Sequence, residues 1–363
     1  MATQRYLALD VMRGATLAMM ILVNTPGDWG YVYAPLLHAD WHGVTITDFV
    51  FPFFLFIIGS ALFFSSRSSA QLAPAIKAKK IIKRTALLFI IGLLLHAFPF
   101  TTALSELRIL GVLQRIALAY GIAAFIVWLP TTQRLMAALG ILIAYWLVFI
   151  LTDSSYHLAD NIVRHIDIAI LGAEHLWQGK GLAFDPEGLL STLPAAVNIL
   201  AGFEATRLLV SQPAGEPNNA TSRQFKLALY AMCSITIALI WHRWMPINKS
   251  LWTSSFVLLT SGVGVLVLLL LVRLEPYRVT AAVYRAFAIY GQNPLFIYVL
   301  SSLWVQCYFL FHIDGVNIYA WLNNQLNLIA EPYLASLIFA LGHVILFWGV
   351  AYVLHKKRIV ISV

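Results

Sequence analysis

The sequence predicts an all-α, polytopic integral membrane protein of about ten transmembrane helices with both termini in the cytoplasm. Three observations predict it. Hydrophobic residues make up 60% of the 363 residues and charged residues only 11%, against about 25% charge in soluble domains. The apolar residues gather in runs of roughly 20, the length that crosses a hydrocarbon core. The cations are also unevenly placed. With the N-terminus inside, 18 of the 24 Lys and Arg fall on the cytoplasmic side. Arg108, Arg164, Lys180, Arg243 and Lys249 fall outside, and Arg115 lies within a helix. Cytoplasmic loops carry such an excess.

The expected spans are 6–26, 45–65, 79–99, 107–129, 134–152, 188–210, 224–244, 250–272, 286–311 and 333–354. The first holds Asp10 and Arg13, three residues apart and close enough to pair on a helix. Asn24 follows Arg13 by 11 residues, roughly three turns and about 16 Å along the same face. The fourth span carries Gln114 and Arg115 about a third of the way in. An Arg there calls for a partner, and Asp10, Asp48 and Glu204 are the carboxylates on offer. Asn293 and Pro294 break the ninth span. Connections are short except 153–187, which is rich in charge and His. No internal repeat is visible, and the chain reads as a single domain, 1–363.

Several function classes drop out. The net charge of +8 and pI near 9.5 reflect cytoplasmic loops rather than nucleic-acid binding. Cys233 and Cys307 lie in apolar runs and form no framework. No GxxxxGK or GxGxxG occurs, so nucleotide hydrolysis and dinucleotide binding have no support. His157, His165 and His175 are spaced too irregularly for a metal site, and no metal is expected. Arg13 interrupts the first apolar run, which argues against a cleaved signal peptide.

The chemistry-bearing residues cluster in 9–60 and in the outer loops. His38 stands among Tyr31, Tyr33 and Trp41 in the first outer loop. Its inert alternative is an interfacial aromatic belt. An imidazole can also take a proton from an attacking amine or hydroxyl. Asp48 would orient that ring, or simply sit near a helix N-terminus. Asn24 would donate to a thioester oxygen, or make an interhelical contact. His42 competes with His38. Lys77 to Arg84 carries five positive charges, Lys80 and Arg84 among them. It sets topology or receives coenzyme A phosphates.

The stretch LDVMRG, then VN, then HADWHGVTITDFVFPFFLFIIG resembles the heparan-alpha-glucosaminide N-acetyltransferase family and its bacterial NagX-type relatives. GVLQRIALAY (111–120), FDPEGLLSTLPA (184–195), INKSLWTSSFVLLTSG (247–262) and YGQNPLFIYVLS (290–301) extend the resemblance over nearly the whole chain. More distantly the chain is similar to the membrane acyltransferase-3 family. There a His follows the first-helix Arg across ten residues. Here Asn24 holds that place, and His38 matches the His expected in the loop beyond.

The resemblance implies acyl transfer from cytoplasmic acetyl-CoA to an amino sugar on the periplasmic side of a bacterial inner membrane. His38, Asn24 and Asp48 are the candidate catalytic set. Arg13, Gln114, Arg115, Lys80, Arg84 and Asn293 are assigned to the acyl-CoA donor. Asp185, Glu187, Asn248, Lys249 and Trp252 are assigned to the acceptor, with Trp252 offering a flat face to a sugar ring. A homodimer is implied. The runner-up is an amino-sugar transporter, which buried polar groups and a broken helix would also suit.

Overall fold

The computed structural model describes residues 6–210 and 219–361. Of the cations expected on the cytoplasmic side, Arg5 lies outside them. The regular secondary structure of the described residues is almost entirely helical. In order come α1 (Leu7–Asn24), α2 (Val50–Ser68), α3 (Pro74–Ala97), α4 (Val112–Ile126), α5 (Thr131–Leu151), α6 (Ile162–Leu171), α7 (Thr192–Val210), α8 (Ala220–Trp241) and α9 (Ser254–Leu274). Then follow α10 (Ala281–Tyr290), α11 (Pro294–Leu310), α12 (Ile318–Asn327) and α13 (Pro332–Lys356). A two-residue hairpin, β1 (His312–Ile313) with β2 (Val316–Asn317), precedes α12.

Seven of these helices are long and apolar enough to cross a membrane: α1, α2 with its leading turn, α5, α7, α8, α9 and α13. A further pair of helices is apolar enough when taken together, and is either a broken span or a re-entrant loop. Residues Arg278–Tyr290 and Pro294–Leu310 meet at 73°. The bend falls at the expected Asn293–Pro294, because Pro lacks the N–H that would continue the ladder. Two expected spans differ from this standard. α3 is 24 residues long but carries Lys77, Lys79, Lys80, Lys83 and Arg84 in its first half. α4 is apolar but has 15 residues, about 22 Å of helix against a core of about 30 Å.

The backbone contacts group into two units. Of the described residues, one holds 6–39, 45–54 and 270–361, and so contains α1, the start of α2, and α10 to α13. In it α1 packs on α10 at Gly14, where an added Cβ would lie 1.8 Å from the Phe287 carbonyl oxygen. Small residues let membrane helices approach this closely. Its core gathers Leu17, Ile21, Tyr290, Ile297 and Phe347.

The other unit holds residues 40–44 and 55–269. There α2 lies against α7, backbone on backbone, at Gly59 and Gly202. A Cβ at either would come within 1.8 Å of the facing carbonyl oxygen, Ile199 or Phe56. Phe149, Phe184, Met245 and Leu251 form its second core.

Candidate active site

α2 begins later than the apolar pattern suggests, at Val50 rather than near 45. The reason lies in Thr45 and Asp48. The Asp48 carboxylate reaches back to the Thr45 N–H at 2.8 Å and takes its hydroxyl at 3.2 Å, as in a capping box. A short 3-10 turn, Thr47–Phe49, then leads into the helix.

This turn buries Asp48 to 1% exposure. Its Oδ1 meets His38 Nδ1 at 2.7 Å, and its Oδ2 also accepts the Ala39 N–H at 3.1 Å. Thr45 Oγ1 donates to the Leu37 carbonyl at 2.6 Å, closing the loop around the pair. The His38 side chain stays 45% exposed. A buried carboxylate accepting from Nδ1 fixes the tautomer of the ring, and the basic position is then Nε2. The third member of the expected set, Asn24, is the last residue of α1 and is exposed.

Arg13 pairs with Asp10 at 2.9 Å and lies 3.4 Å from the Gly291 carbonyl at the end of α10. Asn293 is 1% exposed, and the chain's own tail occupies its amide. Its Nδ2 donates to the Ile359 carbonyl at 3.1 Å, and its Oδ1 accepts from the Ile361 N–H at 2.7 Å. Lys80 is exposed, whereas the Arg84 guanidinium rests 4.9 Å from the centre of the Tyr120 ring.

The second unit contains a different kind of cluster. Arg108 had no assigned role in the sequence, yet it forks onto Asp185. Nε meets Oδ2 and Nη2 meets Oδ1, both at 2.8 Å, and Nη2 also reaches Glu187 Oε2 at 2.8 Å. Asp185 is 0% exposed. Expected as a ligand for sugar hydroxyls, it instead turns both oxygens toward Arg108. Burial is the main force pushing Glu187 up from the usual carboxylate range, with Arg108 opposing it and Asp185 adding to it.

Arg115 sits in the first turn of α4 rather than a third of the way along, because the helix starts only after Gly111. None of the expected carboxylates holds it. Asp10 is with Arg13, Asp48 with His38, and Glu204 with Arg134 and Arg207. Arg115 donates to the Gly188 carbonyl at 3.3 Å and to the Ser191 hydroxyl. Its guanidinium lies 4.8 Å from the Trp252 ring centre, a cation–π arrangement. Neighbouring Gln114 is 1% exposed, and its Nε2 lies 3.5 Å from His96 Nδ1.

Trp252 therefore differs from the open face expected of it. It is 1% exposed, and its indole donates to Asn198 Oδ1 at 2.9 Å. Asn248 is buried and organises its turn. Its Nδ2 donates to the Trp41 carbonyl at 2.7 Å, and its Oδ1 accepts the Leu251 N–H at 2.8 Å. The same amide lies 3.4 Å from His42. Lys249 is half-buried beside it.

Fold and site together define a multi-pass helical membrane protein with an imidazole–carboxylate pair in the loop after its first helix. The family model for the catalytic region of heparan-alpha-glucosaminide N-acetyltransferase matches residues 5–170, which include that loop. The chain is 26% identical to heparan-alpha-glucosaminide N-acetyltransferase of Mus musculus over 326 residues, 74% of this chain and 49% of the relative. The Homo sapiens protein of that name gives 26% over 323 residues, 74% and 48%. The chain is thus similar to the heparan-alpha-glucosaminide N-acetyltransferase family, whose catalytic-region model it matches over residues 5–170. It spans about half the length of the curated relatives it matches.

Proposed function

We propose that the chain is a transmembrane N-acetyltransferase that moves an acetyl group from acetyl-CoA to the amine of a glucosamine or glucosaminide. The His38–Asp48 pair carries this reading, because it lies within the residues that match the family's catalytic region. In the step proposed, the amine nitrogen attacks the thioester carbonyl carbon and His38 Nε2 takes the amine proton. The C–S bond then breaks, and the coenzyme A thiolate leaves. Asp48 is a positioning residue that holds Nδ1 and stabilises the imidazolium as it forms. Asn24 would donate to the carbonyl oxygen as negative charge develops there.

Coenzyme A would approach from the cytoplasm, its phosphates meeting the basic run that includes Lys80. The sugar would approach from the opposite side, the periplasm of a bacterial cell. The cation asymmetry supports these sides. A second copy of the chain is the expected partner. Arg13 near the broken span is assigned to the donor, as are Gln114 and Arg115 of the second unit.

The break between α10 and α11 also favours the transporter reading, since discontinuous helices line transport sites. One experiment separates the two. Purified protein in detergent is given labelled acetyl-CoA and glucosamine. The acetyltransferase yields labelled N-acetylglucosamine. Vesicles that take up glucosamine while purified protein yields no acetylated product would establish the transporter instead.

A further inference from the structure

The loop after α1 carries exposed aromatics that the reaction above does not use. Trp29, Tyr31, Tyr33 and Tyr333 are 60%, 43%, 39% and 40% exposed. Tyr333, at the start of α13, is the central ring. Tyr31 meets it edge-on with centroids 5.5 Å apart, and Tyr33 lies at 5.5 Å with the planes tilted 44°. They border a small depression whose lining includes Val23, Leu36 and Ser336. Val23 adjoins Asn24, and Leu36 is two residues before His38, at most about 7 Å away along the chain.

Two features set this rim apart from a simple interfacial belt. The loop is stapled in place. The Gly27 and Asp28 N–H groups donate to Ser336, at 3.2 Å and 3.1 Å. The Tyr319 hydroxyl donates to the Pro26 carbonyl. A Cβ on Gly27 would come within 2.1 Å of Asn323 Oδ1. The rim is also acidic. No Lys or Arg occurs in 14–66 or in 286–355, while Asp28 and Glu331 stand at the rim. Glu331 precedes α13 but caps nothing with its side chain. It instead accepts from the Tyr33 hydroxyl at 3.4 Å.

We propose that this rim is the acceptor subsite, which receives a cationic amino sugar with its ring face on Tyr333 and its hydroxyls toward Glu331. The assignment rests on the acetyltransferase reading. The acidic surroundings draw the ammonium form, and aromatic faces attract cations as well; the bound ammonium releases one proton to solvent before its nitrogen attacks, and His38 takes the second. Acetylation removes the positive charge, so the neutral product loses this attraction and leaves.

The test uses the full chain in phosphatidylcholine nanodiscs, with equilibrium dialysis of labelled glucosamine and initial rates at saturating acetyl-CoA. Glu331→Gln and Tyr333→Ala should each raise the glucosamine Kd and KM by about tenfold, with a smaller change in kcat. Glu331→Asp should recover part of the loss. Added salt should weaken glucosamine binding to wild type. N-acetylglucosamine should bind more weakly than glucosamine. Trp244→Ala, at a 60% exposed tryptophan elsewhere, serves as the control that retains wild-type KM.

If both rim variants bind glucosamine within about twofold of wild type, the rim is an interfacial belt and the assignment falls. If wild type binds glucosamine through Glu331 and Tyr333 but acetylates no amino sugar, the acetyltransferase reading falls and the subsite stands. Wild type that neither binds nor acetylates glucosamine overturns both.

Discussion

Asp48 and Asp185 are almost equally buried, at 1% and 0% exposure, and each meets a side chain with ring or guanidinium nitrogens. The partners differ. Asp48 holds an imidazole whose side chain is 45% exposed. Asp185 holds a guanidinium that forks onto both of its oxygens and reaches Glu187 as well. An imidazole exchanges protons near neutral pH, while a guanidinium stays charged at any working pH. One buried acid therefore orients a ring that stays partly exposed. The other closes a charge pair within the fold. Burial of a carboxylate does not by itself mark chemistry; the partner's capacity to change protonation, and its access to solvent, decide the role.

The sharpest test of this contrast exchanges function for stability. His38→Ala should lower turnover by about 10²–10⁴. It should move unfolding by less than about 1 kcal/mol, because the His38 side chain is 45% exposed and Asp48 keeps its hydrogen bonds from Ala39 and Thr45. Acetyl-CoA should still bind. Initial rates and a thermal melt on the same preparation measure both quantities. Activity at the wild-type level would remove His38 from the mechanism, and a collapse of the melt would make the dyad structural instead.

Arg108→Ala is the reciprocal variant. It strands the Asp185 charge with no exposure, which costs about 3–5 kcal/mol when a buried partner is lost. The melt should drop accordingly. Whatever protein remains folded should keep its catalytic rate per molecule. A normal melt with lost turnover would instead move the Arg108 cluster into the reaction.

Much of this arrangement was legible in the sequence. The all-α, multi-span fold followed from long apolar runs, and the bend in the ninth span from Asn293–Pro294. His38 and Asp48 lie ten residues apart, within reach of a local loop argument. Arg108 and Asp185 are 77 residues apart, and periodicity carries no information about pairing at that range. Trp252 was misread as an open face because a core tryptophan and an interfacial one have the same composition signal. α6 was absorbed into the 153–187 loop because Arg164, His165 and Asp167 interrupt its apolar residues. Its ends were readable nonetheless. Asn161 caps it by accepting the Arg164 N–H at 2.9 Å, and Gly172 follows its last turn at φ 88°, the residue type favoured there.

The smallest expected effect concerns a third buried acid. Asp167, in α6, is 0% exposed. Its Oδ1 accepts the Leu189 N–H at 2.9 Å, and Oδ2 has no hydrogen-bond partner among the described residues. Burial pushes its carboxyl up to about 7; the Leu189 N–H opposes this, Asp185 adds to it and Arg115 opposes it. The folded protein thus holds this proton over a pH range in which the unfolded chain has released it. The linked stability is fully present below about pH 4. It is lost as pH rises through about 7, with a slope of at most about 1.4 kcal/mol per pH unit. Asp167→Asn keeps an oxygen for Leu189 and cannot ionise. Its melt should match wild type near pH 4 and exceed it at pH 8, so that the difference between variant and wild type grows with pH. Parallel melting curves across that range would show that Asp167 ionises in the folded protein as it does in the unfolded chain. The second unit would then tolerate a buried charge without the guanidinium partner that Asp185 has.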